Sequence, residues 1–558
     1  MLRKNDEITL TIDGMTSEGS GIGHYDGQAV FVAGTAVGDV ILCHIIKAKK
    51  TYAVGKAFKI FTSSKDRVPA DCEVSNRCGG CCYRHISYDA ELQYKQQRVA
   101  DAFSRLGHLD VEVEPVTGSP LTEGYRNKAQ FPVGLDRDYN PVMGFYAANT
   151  HRIVPCMDCK LQPEVFGRVL EIVRKWIIKA GVKIYDESKG IGLLRHIYLR
   201  QGYYSKELMV CLVINGDKIN RTKSLVEALE AKIPEFKTLV VNINKARNNV
   251  ILGDRCEVYH GDGYITDELL GKKFRIGPLS FYQVNTLQTE QLYRKAAEYA
   301  LAEEGGEYGS AAQTGDSPAA AQATASAADG DSPLATYVTA SAASTPAGDF
   351  PLTTQVTASA TDGDSPLAAY VTASAADGDS PLAARTTASA TDGDSPLAAQ
   401  ATASAAATPA AKGSVLLDLY CGIGTIGLTM ADKFEKLYGV EIIPEAIENA
   451  KYNAEANGID NATFICGDAA AAAEALRADG VAPTVVLVDP PRKGLAPELI
   501  DTINEFAPKR VVYVSCDPAT LARDCARFNE LGYTVERVTP FDMYPRTSHV
   551  ENVVLLRK

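Results

Sequence analysis

The sequence has no apolar run of the length that a membrane-spanning helix needs, so no membrane is expected as a partner. Its opening stretch, MLRKNDEITLTID, lacks an apolar h-region. No secretory signal is therefore expected, and the chain reads as cytoplasmic and monomeric. In a reducing compartment a disulfide framework is excluded as well. The thirteen cysteines, an odd number, are expected to be thiols, metal ligands or catalysts. An excess of basic residues is also missing: the net charge is −12, which on its face speaks against nucleic acid. The hydrophobic share of 46% in 558 residues is that of an ordinary globular chain long enough for several domains.

The acidity is not evenly spread. Residues 301–413 hold thirteen acidic and two basic residues, a net of −11. The remainder is nearly neutral and has basic patches, with seven Lys or Arg against one acid, Asp66, between Lys47 and Arg67. The acidic segment repeats TASATDGDSPLAA with small variations, and GDSP begins at Gly315, Gly330, Gly363, Gly378 and Gly393. Each repeat has few large apolar residues and much Ala, Ser, Thr, Asp and Gly. That is too little to bury against the entropy cost of ordering. A disordered insertion of 15-residue repeats at about 305–412 is expected rather than a folded solenoid.

The flanks of the insertion read as one α/β domain. Val415–Leu419 is an apolar strand running into Cys421-Gly422-Ile423-Gly424, a strand-to-helix turn where backbone can approach a ligand closely. A second strand ends in Glu441, a third at Asp468 and a fourth at Asp489-Pro490-Pro491. Each acid alone is more often a helix cap. In this order they point to a nucleoside cofactor across the carboxyl ends of a parallel sheet, with Glu441 suited to ribose hydroxyls. The turn lacks the G-x-G-x-x-G fingerprint, which argues against a dinucleotide.

The stretch VVYVSCDPATL (511–521) places Cys516 at the end of a buried strand, just before a loop. That is a usual seat for a reactive side chain in an open α/β sheet. Together with SFYQVN (280–285), LDLYCGIGTIGL (417–428), GVE (439–441), VDPPRKG (488–494), VSCDPATLARD (514–524) and HVENVVLL (549–556), it resembles the S-adenosylmethionine-dependent RNA uridine-C5 methyltransferases of the TrmA and RumA type. The match covers the whole chain except the repeats. By that resemblance the fold class is α/β, with a Rossmann-like class I methyltransferase domain at 276–558. An OB-like β-barrel precedes it at 1–60 and a central α+β RNA-binding domain at 61–275. Gln283, Tyr420, Thr425, Glu441, Asp468 and Asp489 are expected to bind S-adenosylmethionine.

The chemistry of uracil agrees. C5 is too weak a nucleophile to take a methyl group unaided, so a thiolate must add to C6 and a base must later remove the C5 proton. Cys516 fits the first role. Glu551 reads from spacing alone as a solvated strand-end acid, and the resemblance makes it the general base. His549 is either an orienting or a structural residue. Amino-methylating enzymes usually place an aromatic after the Pro-Pro pair, where this chain has Arg492. Cytosine-C5 RNA enzymes carry a cysteine within Asp-x-Pro-Cys, and residues 489–492 have none.

The N-terminal half supplies an RNA side. Short alternating strands with Gly-rich turns in residues 1–60 read as a small barrel, and it resembles a TRAM domain. Lys47, Lys49, Lys50, Lys56 and Lys59 are suited to phosphates, or equally to a solvated edge that resists aggregation. Cys72, Cys78 and Cys81 form C-x5-C-x2-C, with Cys159 much later and Cys82 and Cys156 nearby. Such spacing fits zinc or an iron–sulfur cluster. The family pattern implies a [4Fe-4S] cluster on Cys72, Cys78, Cys81 and Cys159. Arg126, Lys128, Arg195 and Arg200 lie among aromatic and apolar residues in YRNKAQFPV and GLLRHIYLR. By resemblance this domain holds the RNA, with Arg126 at the active-site mouth and Lys128 beside it. A barrel plus cluster cysteines matches the enzymes acting on 23S ribosomal RNA. The alternatives are the same chemistry on tRNA, or a non-catalytic RNA chaperone with a methyltransferase fold.

Overall fold

The computed structural model describes residues 2–302, 355–357, 371–374, 385–387, 401–404 and 411–558. It divides into two compact units, 1–302 with 410–558, and 303–409. In the second unit Gln355–Thr357 pairs in parallel with Arg385–Thr387, and Val371–Ser374 with Ala401–Ser404. The rest of the expected disordered insertion lies outside the described residues. No helix among the described residues is long and apolar enough to cross a membrane.

The larger unit begins with a six-stranded sheet formed by residues 7–62. Its strands alternate as half-buried strands must: Ile8 and Leu10 point inward on Glu7–Thr11, Ile41, Cys43 and Ile45 on Val40–Ala48, and Val30 and Val32 on Gln28–Ala33. Burial pushes the Cys43 thiol up to about 11, so this cysteine is a core hydrophobe.

A central seven-stranded sheet follows. It runs in the order Arg255–His260, Phe236–Ile243, Leu208–Ile214, Leu194–Gln201, Lys128–Leu135, Pro141–Tyr146, Ile153–Pro155. The helices Glu164–Ala180 and Thr222–Glu230 cover one face through Val169, Leu170, Val173 and Leu225. The other face joins the C-terminal domain: Tyr198, Met209 and Cys211 share a core with Leu416, Leu428 and Val512. Both faces are covered, which is why LMVCLVI (208–214) reads as an unbroken apolar run.

The C-terminal sheet runs Ala462–Cys466, Phe434–Glu441, Ala411–Leu419, Val485–Val488, Arg510–Ser515, Glu551–Arg557, Thr534–Phe541. The first five strands are parallel, and the last two run antiparallel to their neighbours. The order reverses at Ala411–Leu419, which pairs with Phe434–Glu441 on one side and Val485–Val488 on the other. A ligand crevice opens at the carboxyl end of such a switch point. The helix Thr286–Leu301, which precedes the insertion, packs Leu292, Tyr293 and Ala296 into the core under this sheet.

Candidate active site

The crevice at the switch point is a cavity of about 910 Å³. Its lining includes Gln283, Tyr420, Glu441, Asp468, Asp489, Cys516, Tyr544, His549 and Glu551. After the first strand the chain turns through Tyr420, at a left-handed φ of 66°, and Gly424, at φ 81°. A Cβ on Gly424 would lie 2.8 Å from the Leu428 side chain, so glycine is required there. Glu441 accepts from the backbone N–H of Gly422 (3.2 Å) and Ile443 (2.9 Å), which joins the second strand end to the loop. Asp468 caps the helix Ala469–Ala478 through Ala470 and Ala471 N–H and also faces the cavity. Cap and lining are one residue here.

Gln283 is buried, and its Oε1 has no hydrogen-bond partner among the described residues. An acceptor left open at a cavity wall fits a ligand donor. Thr425 is not in the lining. It starts the helix Thr425–Met430, and its hydroxyl lies 2.9 Å from the Tyr293 hydroxyl. Beneath the loop, Asp418 accepts from Gly427 N–H, and burial pushes its carboxyl up to about 8.

The thiol and the base meet through strand register. Arg510–Ser515 and Glu551–Arg557 are antiparallel neighbours, and Ser515 pairs with Asn552. One residue further on each strand lie Cys516 and Glu551, facing each other at the same sheet end. Asn552 fastens this end by donating from Nδ2 to the Ser515 carbonyl (3.2 Å). Pro518 starts the next helix, with Asp517 as its cap, so Cys516 is held between a strand end and a helix start.

Electrostatics here depend on burial and on a shared acid. Burial, followed by the charges of Glu551 and Asp489, pushes the Cys516 thiol up to about 11, and a hydrogen bond from Arg492 opposes this. Glu551 is 2% exposed. Burial and Asp489 raise its carboxyl to about 8, against a hydrogen bond donated by Tyr544. Asp489 is itself raised to about 7 by burial. His549 is held down to about 4 by burial and by Arg492, so it is neutral. A half-buried thiol beside an arginine, across from a carboxyl raised toward neutrality, is an arrangement suited to a nucleophile and a proton acceptor. The other cysteines of this domain's core, Cys421 and Cys525, are buried and absent from the lining.

Comparison with known proteins gives the family of the chain. A family model for tRNA (Uracil-5-)-methyltransferase matches residues 396–558, and one for the TRAM domain matches 2–58. An "uncharacterized RNA methyltransferase" of Clostridium tetani is 34% identical over 556 residues, covering 100% of this chain and 97% of that one. Another, of Halalkalibacterium halodurans, is 35% identical over 556 residues, covering 100% and 98%. The chain belongs to the TrmA family of RNA (uracil-5)-methyltransferases. It is thus an S-adenosylmethionine-dependent RNA uracil-C5 methyltransferase with an N-terminal TRAM domain. The crystal structure of Pyrococcus abyssi tRNA (uracil-54, C5)-methyltransferase in complex with S-adenosyl-L-homocysteine shares the fold, with a TM-score of 0.64 at 22% identity, over 98% of this chain and 100% of that one.

In this TrmA-family enzyme the cysteines of the central domain converge. Cys72, Cys78, Cys81, Cys156 and Cys159 line one cavity of about 290 Å³ with Arg84, Arg126 and Lys128. Cys82 is absent from it, and burial pushes its thiol up to about 12. Among the described residues no three side chains are gathered so as to hold a single metal ion. Arg84 is anchored to Asp71 (2.6 Å) and Glu123 (2.9 Å) and hydrogen-bonds Cys81.

The expected RNA contacts separate into two groups. The barrel lysines Lys47, Lys49, Lys50, Lys56 and Lys59 are exposed, beside exposed Phe58 and Phe61, and Lys59 Nζ lies 5.4 Å from the Phe61 ring centroid. Arg126 bridges to Asn285, and its charge acts on Tyr544 and His549 in the reactive cavity. Lys128 is brought down to about 7 by burial and then by Arg200 and Arg126. Arg200, by contrast, is buried and donates to the Gly277 (3.1 Å) and Ser280 (2.9 Å) carbonyls. Sequence reasoning missed Tyr544 and the contact of Arg492 with the thiol. Arg492 directly follows Pro490-Pro491, which was a usable signal, whereas nothing in FDMYPRTSHV marks Tyr544.

Proposed function

We propose that this enzyme methylates C5 of a uridine in 23S ribosomal RNA through a covalent bond between Cys516 and uracil C6. The register that sets Cys516 opposite Glu551 over one cavity supports the covalent chemistry of this reading. Cys516 Sγ adds to C6, with Arg492 favouring the thiolate, and the electron pair passes to C5 and O4. S-adenosylmethionine would supply the electrophilic methyl group that C5 takes, its S–CH3 bond breaking to leave S-adenosylhomocysteine, and Gln283, Tyr420, Glu441, Asp468 and Asp489 would hold it, with Thr425 supporting the loop from below. Glu551 then removes the C5 proton, the C5–C6 double bond re-forms, and the C6–S bond breaks with its electron pair to return the thiolate. The target base must be turned out of the RNA to reach this cavity.

A barrel combined with four cluster cysteines supports the ribosomal target. A second reading, a uridine in tRNA, is favoured by the name of the matching family model and by the substrate of the P. abyssi enzyme. Mass spectrometry of RNA from a deletion strain separates them. The expected result is loss of one or more 5-methyluridines from 23S rRNA with tRNA unchanged. Loss from tRNA alone would establish the second reading, and no loss in either would sink both.

We further propose that Cys72, Cys78, Cys81 and Cys159 hold a [4Fe-4S] cluster, which ties two distant segments of the central domain together. Anaerobically purified protein is then brown and contains about four irons per chain. One zinc and no iron would show the wrong metal.

A further inference from the structure

A second cavity, of about 660 Å³, lies in the central domain and is used by no step above. Its interior is formed by Arg195 and His196, its walls by Tyr146 with His151 and by Tyr185, and its mouth by exposed Leu135 and Val250. We infer that this cavity is a slot for an unpaired nucleobase of the substrate RNA, at a nucleotide other than the one methylated. The inference rests on the RNA-methylating reading for its substrate class alone.

Three observations carry it. First, the walls are stacking surfaces. The Tyr146 and His151 rings stack at 5.2 Å, and the Arg195 guanidinium lies 4.7 Å from the Tyr185 ring centroid. Aromatic and guanidinium planes are what unstacked RNA bases settle on. Second, the residues lining the interior carry hydrogen-bonding atoms that are unpaired and almost without exposed surface, so a base edge would reach them only as the side chains adjust. His196 is buried, and neither ring nitrogen has a partner among the described residues; the same holds for Arg195 Nε. Burial and Arg195 hold His196 down to about 4, so the imidazole is neutral and offers one donor and one acceptor, the mixed pattern of a base edge. Arg195 Nη1 is already committed to the Asn244 (2.9 Å) and Ala246 (2.7 Å) carbonyls, so the guanidinium is fixed. Asp186 and Glu187 also line the cavity, which disfavours a phosphate and leaves the base as the fitting part of a nucleotide.

Third, the slot lies on a path from the reaction. It shares Tyr146 and Ile251 with the cysteine-lined cavity, and that cavity contains Arg126. Arg126 acts electrostatically on Tyr544 and His549 of the reactive cavity. An RNA strand leaving the methylated uridine along this line passes the cysteine face and reaches the slot.

Val250 is exposed at the mouth, so Val250→Trp plugs the slot without touching the core. With full-length cluster-containing enzyme and a fluorescein-labelled single-stranded RNA substrate, Val250→Trp is expected to raise Kd and KM about tenfold, the loss of one base contact. Maximal turnover, affinity for S-adenosylhomocysteine and Tm stay at parent values. Tyr185→Leu is expected to act in the same direction. Photocrosslinking with 4-thiouridine RNA is expected to label Tyr146, His151 or Tyr185 in the parent and not in Val250→Trp. Unchanged RNA affinity in both variants, or crosslinks confined to the barrel and the reactive cavity, would overturn the slot while leaving methylation at Cys516 intact. Binding of free AMP or GMP that is lost in Val250→Trp but leaves RNA binding unchanged would overturn it too, by making the occupant a free nucleotide.

Discussion

Incubated with S-adenosylmethionine and substrate RNA, Glu551→Gln is expected to accumulate an RNA–protein adduct that survives denaturing electrophoresis and carries the methyl group. Cys516→Ala is expected to form no adduct and to have no measurable turnover. The order of the two steps produces the contrast. Addition of the thiol to C6 precedes methyl transfer, and removal of the C5 proton follows it. Gln keeps the shape of the side chain and its place beside Tyr544 but has no basicity, so turnover falls by about a hundred- to ten-thousandfold while the first bond still forms. Ala removes the nucleophile, and C5 is never activated. The double variant behaves as Cys516→Ala. In the parent enzyme, breakdown of the adduct speeds up as pH rises through about 8, where the raised Glu551 carboxyl loses its proton. Methylation by Cys516→Ala, or parent-rate turnover by Glu551→Gln with no adduct, would remove both assignments. Cys421 and Cys525 are poor substitutes, because both are buried and neither lines the cavity.

Much of this site was legible in the sequence because a parallel sheet imposes it. Strands that alternate with helices end at one edge, so Tyr420, Glu441, Asp468 and Asp489 had to share it once each was placed at a strand end. Thr425 followed the same motif, yet helix geometry turned its hydroxyl to Tyr293 rather than to the cavity. The Cys516–Glu551 pairing has another origin. It depends on the final strand inserting antiparallel beside Arg510–Ser515, and no local pattern fixes that register, so only family resemblance pointed to it. Arg195 and Arg200 looked like RNA contacts from their aromatic neighbours. The structure gives both backbone carbonyls to hold, a use of arginine that composition cannot distinguish from phosphate binding. The least legible part is the set of contacts between the chain's two ends, because partners hundreds of residues apart leave no spacing to read.

Those contacts centre on Lys95, and replacing it by Met is expected to cost about 3–5 kcal/mol of stability, measured by urea unfolding. Lys95 is 1% exposed. Its ammonium donates to Glu91 Oε1 (2.7 Å), to Asp542 Oδ1 (2.6 Å) and to the Tyr544 carbonyl (3.3 Å). Tyr88 donates to the other oxygen of Asp542 (2.8 Å), and Glu91 accepts from Arg546 N–H (2.7 Å). The Arg546 carbonyl in turn accepts from Cys82 and Tyr83 N–H, next to Cys81. The segment bearing Cys72, Cys78 and Cys81, three of the four cysteines proposed to hold a cluster, is thereby bonded to the loop bearing Tyr544, the donor to Glu551. Removing Lys95 leaves two buried carboxyls with no cation between them and only the Arg546 guanidinium, 3.7 Å from Glu91 Oε2, close by, which explains the size of the expected loss. The loop that carries Tyr544 also loses its anchor, so turnover falls while affinity for S-adenosylhomocysteine is kept. Asp542→Asn tests whether the contacts act as one unit. Because Lys95 and Asp542 share a bond, the double variant is expected to depart from the sum of the singles by at least about 0.5 kcal/mol. Additive losses, or a Lys95→Met variant as stable and active as the parent, would mean that the cysteine segment and the catalytic loop are neighbours without being coupled.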